Sequence, residues 1–238
     1  MAITSSEVRT LTIDGAAVAG APDQTILEVA EENGISIPTL CHLNGLSDVG
    51  ACRLCLVEVG SARRPLLACM TRVEEGMTVT AHSDQLAGYR RDLVQMLFLE
   101  RNHICSVCVA NRHCELQDLA VDLGVTHFDL PAINPDAGVD ASHRLFGVDH
   151  NRCILCTRGV RVCDEIEGAH TWDVMGRGLA AQVVTDLGTP WGESTSCTSC
   201  GKCVQVCPTG ALFEKGRAVA EGAKERRPFL PYLKVRRP

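Results

Sequence analysis

The chain has 238 residues, and 14 of them are cysteine, a content well above average but below that of a small disulfide scaffold. Aromatic residues make up 4% of the chain, hydrophobic residues 45% and charged residues 22%, which excludes a disordered polymer. The net charge of −6 argues against a nucleic-acid partner. Because the sequence shows neither a membrane-length apolar run nor a signal peptide, we expect a cytoplasmic protein with reduced thiols and no membrane contact.

The first 82 residues are predicted to form a small α+β domain. A first strand is expected at residues 10–13, before the turn Asp14-Gly15, and a second directly after that turn. Further strands are expected at 56–59 and 77–81. Asp23 is placed to cap a helix over about residues 24–33, which Gly34 would end.

The rest of the chain is predicted to contain two helices and a cysteine-rich module. Ser83 begins a helix that reaches about Asn102, and a second helix over residues 115–123 stops at Gly124. The predicted segments are residues 1–82, 83–130, a linker at 131–142 rich in Pro, Gly and Asp, 143–220, and a basic, proline-rich tail at 221–238. We expect the tail to dock on a partner subunit.

The cysteines fall into four groups with none left over. They are Cys41, Cys52, Cys55 and Cys69; Cys105, Cys108 and Cys114; Cys153, Cys156 and Cys163; and Cys197, Cys200, Cys203 and Cys207. In a reducing compartment, cysteines clustered in this way favour metal binding over disulfides.

The last two groups form an internal repeat. A shift of 44 residues superimposes the third group on the fourth, which reads C-x2-C-x2-C-x3-C-P, the bacterial ferredoxin run that binds 4Fe-4S clusters. In such runs the last cysteine ligates the other run's cluster. One predicted ligand set is therefore Cys163, Cys197, Cys200 and Cys203, and the other is Cys153, Cys156 and Cys207. A cysteine-rich zinc module is the alternative from a different class.

Gly159 stands where the repeat requires a cysteine. Three thiolates can hold a 3Fe-4S cluster, or a 4Fe-4S cluster whose fourth iron takes water or an oxygen ligand. Asp164 and Glu165 are the nearest carboxylates. A third reading is that Gly159 only serves a turn and that this half binds no stable cluster.

The first group resembles the ligand pattern of plant-type ferredoxins. A long loop, the close pair Cys52 and Cys55 and the later Cys69 predict a 2Fe-2S cluster that also uses Cys41. Zinc is again the alternative.

The second group has only three cysteines, so it needs another ligand. His103 lies two residues before Cys105 and is predicted to be the fourth ligand of a 4Fe-4S cluster, with His113 as the competitor.

The complete pattern resembles the N-terminal part of the large iron–sulfur subunit of respiratory complex I. The strings that carry the resemblance are IPTLCHL, GACRLCLVEV, CVANRHCELQDLA, CILCTRGVRVCDEIEGAHTW and CTSCGKCVQVCPTGALF, within about residues 8–215. The complex I subunit places its ligand histidine four residues before the next cysteine, where this chain has Arg101. With H-x-C instead, the chain looks like the small diaphorase subunit of cytoplasmic NAD-reducing nickel–iron hydrogenases.

This resemblance implies an N-terminal β-grasp domain with a 2Fe-2S cluster, a small helical domain with His103 and three cysteines, and a two-cluster ferredoxin domain. It implies one 2Fe-2S and two to three 4Fe-4S clusters, and no catalytic residue on this chain. FMN and NAD are expected on a larger flavin subunit, and the nickel–iron hydrogenase small and large subunits are the other expected partners. The nearest alternative is an electron-transfer subunit of an NAD-dependent formate dehydrogenase or a bifurcating complex.

Overall fold

A computed structural model describes residues 8–133 and 137–217, so the predicted docking tail lies outside the described residues. These residues form two compact units. The first contains residues 8–39 and 48–93, and the second contains residues 40–47, 94–133 and 137–217. Within the described part of the chain, no helix is both long and apolar enough to cross a membrane.

The first unit is built on a five-stranded mixed sheet. Its strands are β1 (Arg9–Ile13), β2 (Ala16–Gly20), β3 (Leu56–Val59), β4 (Leu66–Leu67) and β5 (Met77–Thr80), arranged in the order β2-β1-β5-β3-β4. β1 runs antiparallel to β2 and parallel to β5. Ile13, Val57 and Val79 are fully or almost fully buried, and they pack with Ile26 and Val29 of the helix α1 (Ile26–Glu32) in one core. The predicted strands are thus confirmed.

The expected cap of α1 was wrong. Thr25, not Asp23, is the N-cap: its hydroxyl accepts a 3.2 Å hydrogen bond from the N–H of Glu28, whose carboxylate accepts one from the N–H of Thr25. This reciprocal pair satisfies two donors that the first helical turn leaves open. Gly34, with a φ of +72°, follows the helix end as predicted.

The helix α2 (Asp84–Leu99) begins after Ser83, whose hydroxyl accepts a 3.2 Å hydrogen bond from the N–H of Leu86, as predicted. It ends three residues before the expected Asn102. Arg101 is buried, and its guanidinium donates to the backbone carbonyls of Leu179 and Ala181. Because these bonds hold the chain after Leu99, the helix does not continue.

The second unit carries the remaining elements. They are α3 (Glu115–Asp122), β6 (Val139–Asp140), β7 (Phe146–Asp149), α4 (Arg158–Arg161), β8 (Trp172–Met175), β9 (Gln182–Thr185), α5 (Lys202–Val206) and β10 (Leu212–Glu214). β7 lies between β10 and β6 in an antiparallel sheet, and β8 pairs with β9. Gly124, with a φ of +67°, follows α3 as expected.

Part of the predicted linker is ordered structure, which corrects that expectation. The strand β6 lies within residues 131–142, and the carboxylate of Asp140 accepts a 2.7 Å hydrogen bond from the backbone N–H of Trp191. The segment with linker composition therefore contains a short strand, and Asp140 of this strand binds a distant backbone group.

Aromatic side chains form the centre of the second unit's core. The rings of His143, Phe146 and Trp191 contact one another, with centroid distances of 4.9 to 5.6 Å, and Trp172 meets Trp191 edge-on at 4.8 Å. Trp191 is only 1% exposed. This cluster positions the loops that carry the last two cysteine groups.

Candidate metal centres

The backbone conformation around the third cysteine group recurs 44 residues later around the fourth group, as the cysteine spacing predicts. Leu155 and Thr157 have φ angles of +52° and +57°, and Ser199 and Gly201, 44 residues later, have +57° and +71°. Each pair precedes a short helix, α4 or α5. A left-handed residue on both sides of the second cysteine curls each loop into a concave turn, where successive thiols face one cavity.

Cys163, Cys197, Cys200 and Cys203 line one cavity of the second unit. Cys163 comes from a turn of π-helix (Val162–Glu167), an irregularity that is frequent at functional sites. Burial raises the pKa of Cys203 to about 12, and the neighbouring thiols of Cys200, Cys163 and Cys197 also raise it. The structure therefore brings together the predicted set that mixes the two runs.

Two tryptophans donate hydrogen bonds to this thiol set. The indole N–H of Trp191 lies 3.3 Å from the sulfur of Cys197, and Trp172 makes a side-chain hydrogen bond with Cys203. Both tryptophans are buried, as large aromatic core residues usually are. Their donor role was missed because it depends on which sulfur each indole reaches.

Cys153, Cys156 and Cys207 line a second cavity, together with Gly159. Burial raises the pKa of Cys153 to about 11 and that of Cys156 to about 12, and the thiol of Cys207 raises both further. Three soft donors in a water-poor cavity fit an iron–sulfur cluster, since metal binding would replace the protons of these thiols.

Two arginines beside this group are buried. Arg158 and Arg161 are 4% and 6% exposed. Arg158 donates two hydrogen bonds, of 2.7 and 2.9 Å, to the carboxylate of Glu115. Arg161 donates to the backbone carbonyls of Cys41, Ser47 and Cys156. Both side chains thus connect segments that carry cysteines.

The second cysteine group surrounds the start of α3. Cys114 is the N-cap residue of this helix, and the backbone N–H groups of Gln117 and Leu116 act to lower the pKa of its thiol. Burial nevertheless raises the pKa of the unmetallated Cys114 to about 11, with Cys108 and Cys105 as the nearby thiols that add to the rise. The sulfur of Cys108 accepts a 3.4 Å hydrogen bond from the N–H of Ala110.

His103 is the histidine that the structure offers to this group. Its Nε2 is buried without a hydrogen-bond partner among the described residues, whereas His113 is exposed. The ring bonds to the backbone of Leu97, which must involve Nδ1 since Nε2 has no partner. A backbone bond at one ring nitrogen is the usual way to orient the other toward a metal. Burial lowers the pKa of His103 to about 4, so the imidazole is neutral at pH 7.

The first group is divided between the two units. Cys52, Cys55 and Cys69 belong to the first unit and Cys41 to the second. All four are buried, and the sulfurs of Cys55 and Cys69 lie 3.4 Å apart. Gly50 precedes this region with a φ of +58°, and a Cβ there would meet Leu67 at 2.8 Å, so the close approach of the backbone requires glycine.

Arg90 supports the loop around Cys55 and was missed in the sequence. It is 3% exposed and donates to the carbonyls of Leu54 and Leu56, at 3.1 and 2.7 Å. The pattern of α2 gave no signal for it, because an arginine on an amphipathic helix usually faces water.

Among the described residues, no three histidine, cysteine, aspartate or glutamate side chains are arranged to hold a single metal ion.

Comparison with protein families assigns three regions of the chain. Residues 6–84 match the 2Fe-2S iron-sulfur cluster binding domain. Residues 90–128 match the NADH-ubiquinone oxidoreductase-G iron-sulfur binding region, and residues 144–213 match the ferredoxin-like domain of NADH-quinone oxidoreductase subunit 3. The α+β fold with ferredoxin-like domains is thereby confirmed at this level.

One curated relative is matched over nearly its whole length. NAD-reducing hydrogenase HoxS subunit gamma of Cupriavidus necator is 32% identical over 208 residues, which cover 86% of each chain. The chain belongs to the family of HoxS subunit gamma. A solved chain from an NAD+-reducing [NiFe]-hydrogenase in the H2-reduced state agrees, with a TM-score of 0.83, 34% identity and 88% of each chain covered.

The same module also occurs in longer proteins. NADPH-Fe(3+) oxidoreductase subunit alpha of Geobacter sulfurreducens is 38% identical over 205 residues. The chain spans about a quarter of the length of this relative, 24%. As a member of the HoxS gamma family, the chain carries 2Fe-2S and 4Fe-4S binding domains, which confirms the resemblance found in the sequence.

Proposed function

We propose that this chain carries single electrons between a flavin- and NAD-binding partner subunit and a nickel–iron hydrogenase module in a cytoplasmic complex. The observation that carries the proposal is the match to HoxS subunit gamma and to the NAD+-reducing [NiFe]-hydrogenase chain over most of both lengths. Longer relatives match this chain over only part of their own length.

The ligand sets proposed for the clusters follow the four cysteine groups. Cys41, Cys52, Cys55 and Cys69 would hold a 2Fe-2S cluster; His103, Cys105, Cys108 and Cys114 a 4Fe-4S cluster; and Cys163, Cys197, Cys200 and Cys203 another. The first set is supported by the matched 2Fe-2S domain, which includes all four residues, and by the order of the five-stranded sheet, which is that of a β-grasp. The other two sets are supported by thiols that line one cavity or act on one another's pKa.

The protein's own contribution is to hold these groups close and to set their potentials. The N–H of Glu115, next to Cys114, donates a 2.9 Å hydrogen bond to the carbonyl of Pro208, next to Cys207. A short contact between residues that adjoin two ligand sets is what a relay requires, since electron transfer needs closely spaced centres. Hydrogen bonds from Trp172, Trp191 and Ala110 to sulfur would tune the potentials.

No residue of this chain is proposed to bind a nucleotide. The sequence has no G-x-G-x-x-G turn between a strand and a helix, so we assign FMN and NAD to the flavin partner. The partners would be that subunit and the small and large hydrogenase subunits.

The test is to purify the complex from its natural host through a tag on this chain and to measure its subunits, flavin and metals. The proposal predicts co-purified nickel and FMN and hydrogen-dependent reduction of NAD. Molybdenum or tungsten in place of nickel would overturn it in favour of a formate dehydrogenase.

A matched pair of variants tests the relay itself. Cys108→Ala should abolish the reduction of NAD by hydrogen while the complex still reduces an artificial acceptor directly at the hydrogenase. His113→Ala, at an exposed position directly before Cys114 and five residues after Cys108, should behave like the unmodified complex.

A further inference from the structure

The cavity that contains Gly159 has a leucine side chain beside the position where a fourth cysteine would lie. A Cβ built on Gly159 would lie 3.0 Å from the Cδ1 methyl of Leu212 and 3.6 Å from the Cβ of Cys203. Leu212 is 8% exposed and belongs to the strand β10. The space next to the missing thiol is therefore bordered by a buried methyl group.

The carboxylates nearest in sequence do not reach this cavity. Asp164 pairs with His170, and both side chains are more than half exposed. Glu165 accepts a 2.8 Å hydrogen bond from the N–H of Ser47 and another from its hydroxyl. Neither carboxylate lines the cavity, so the expectation that one of them could replace the cysteine is not supported.

The hydroxyl groups that do line the cavity already have partners. Thr157 accepts a 3.2 Å hydrogen bond from Nε of Arg161, and Thr209 donates a 2.7 Å bond to the carbonyl of Arg152. Apart from the indole of Trp172, which bonds to Cys203, the other side chains of the wall are cysteine thiols or apolar groups. An ordered water needs two to four polar partners, and this wall does not supply them.

We propose that Cys153, Cys156 and Cys207 hold a 3Fe-4S cluster, because the corner of their cavity at Gly159 offers no ligand for a fourth iron and is closed by Leu212. The inference rests on the proposed function, which assigns iron–sulfur clusters to this chain. A three-iron cluster would have a different reduction potential from a four-iron cluster at the same place, since cluster type is one determinant of potential.

The proposed three-iron cluster lies next to segments that carry ligands of other clusters. Arg161 donates to the carbonyls of both Cys156 and Cys41, and Pro208, which follows Cys207, accepts from the N–H of Glu115 beside Cys114. The three-iron centre would thus adjoin ligand segments of two other proposed clusters. Its potential would influence electron transfer through the whole chain.

The test compares the full chain, purified without oxygen and reconstituted with excess ferrous iron and sulfide, with Gly159→Cys. The φ of Gly159 is not in the left-handed region and the contacting atom is the end of a leucine side chain, so a cysteine can be accommodated. Gly159→Ala is the matched control, because it adds the same Cβ without a thiol. Gly159→Cys combined with Leu212→Val gives the new thiol more space.

The proposal predicts that the oxidised chain and Gly159→Ala both show the EPR signal of a three-iron cluster. Gly159→Cys, alone or with Leu212→Val, should lose that signal and gain one iron per chain. An unmodified chain with the same iron content as Gly159→Cys and no three-iron signal would overturn the proposal. So would an unmodified chain that lacks a whole cluster relative to Gly159→Cys.

The same samples separate this proposal from the proposed function. Signals of the 2Fe-2S cluster and of the remaining 4Fe-4S clusters are expected in every variant. If all of them were absent, the iron–sulfur function itself would fail, whereas their presence without the three-iron signal would reject only the present inference.

Discussion

The guanidinium of Arg158 is held by the carboxylate of Glu115 through two hydrogen bonds, of 2.7 and 2.9 Å. The arginine side chain is 5% exposed and the glutamate side chain 49%. Burial alone would lower the pKa of Arg158, but the bonds to Glu115 outweigh this effect and raise it. The pair joins the residue after Cys114 to the residue before Gly159, so it couples two cysteine groups mechanically.

Removing the glutamate should therefore destabilise the second unit. Glu115→Ala leaves a buried guanidinium with no carboxylate, and we expect a loss of about 3 kcal/mol, at the lower end for buried pairs because Glu115 is half exposed. The midpoint of denaturant unfolding measures it. Glu214→Ala is the control, since the 3.9 Å pair of Glu214 with Arg217 is exposed and should contribute about 0–1 kcal/mol. Equal losses in both variants would contradict this account.

His103 and His113 should respond differently to the same substitution. His103→Ala should remove one 4Fe-4S signal and its iron, because the buried Nε2 without a partner is the proposed ligand. His113→Ala should keep the full iron content. His103→Cys tests the role more finely: the cluster should remain, with a lower potential, because thiolate adds negative charge. Unchanged cluster content in His103→Ala would reject the ligand assignment.

Arg161 is predicted to position Cys41. Arg161→Ala leaves the carbonyls of Cys41, Ser47 and Cys156 without their donor, which should cost about 1–3 kcal/mol and lower the yield of the 2Fe-2S signal. Arg161→Lys should restore only part of it, since an ammonium cannot reproduce the planar fork. The exposed Arg177, changed to alanine, is the control and should leave both stability and the signal unchanged. A full 2Fe-2S signal in Arg161→Ala would refute the role.

Trp191 is predicted to raise the potential of the cluster bound by Cys197. Its indole N–H stabilises negative charge on that sulfur, and the reduced cluster carries more of this charge. Trp191→Phe should lower the potential by roughly 20–40 mV, which corresponds to about 0.5–1 kcal/mol. Trp172→Phe should act in the same direction through Cys203. An EPR-monitored redox titration measures both shifts, and an unchanged potential in both variants would show that the indoles only pack.

His143 should make stability depend on pH. Burial lowers its pKa, with Lys215 and Arg144 adding to the effect, and its Nδ1 accepts hydrogen bonds from the N–H groups of Leu145 and Phe146. Because the folded pKa lies below the unfolded value of about 6.5, its contribution is complete above that pH and is lost as the pH falls toward the folded pKa.

His143→Asn provides the comparison, since an amide oxygen can accept the same bonds without titrating. We expect the difference in thermal midpoint between the unmodified chain and this variant to shrink as the pH falls below about 6.5. A difference that stays constant across this range would assign the pH dependence to other groups.

Much of the candidate site could be predicted because ligand spacing is local in sequence. The two-residue gaps between thiols and the 44-residue shift are properties of the chain itself, and the structure repeats them in its φ angles. The strands and both helix ends marked by Gly34 and Gly124 were likewise set by local signals. The cap at Thr25 was also readable from the pattern T-x-x-E.

The rest depends on contacts between distant residues. Arginine side chains are usually exposed, yet Arg90, Arg158 and Arg161 are each buried against backbone carbonyls or a carboxylate supplied by another segment. Asp140 lies in a segment with the composition of a linker, yet it pairs with Val148 in the sheet and its carboxylate binds the N–H of Trp191, 51 residues away. Such pairings have no signature in a single sequence.

The most direct test of the relay is rapid freezing of the intact complex after mixing with NADH, followed by EPR at several temperatures. We expect the 2Fe-2S and 4Fe-4S signals of this chain to appear at least as fast as the complex turns over, and hydrogen alone to produce the same signals. Flavin reduction and hydrogen formation with these clusters remaining oxidised throughout would contradict this expectation.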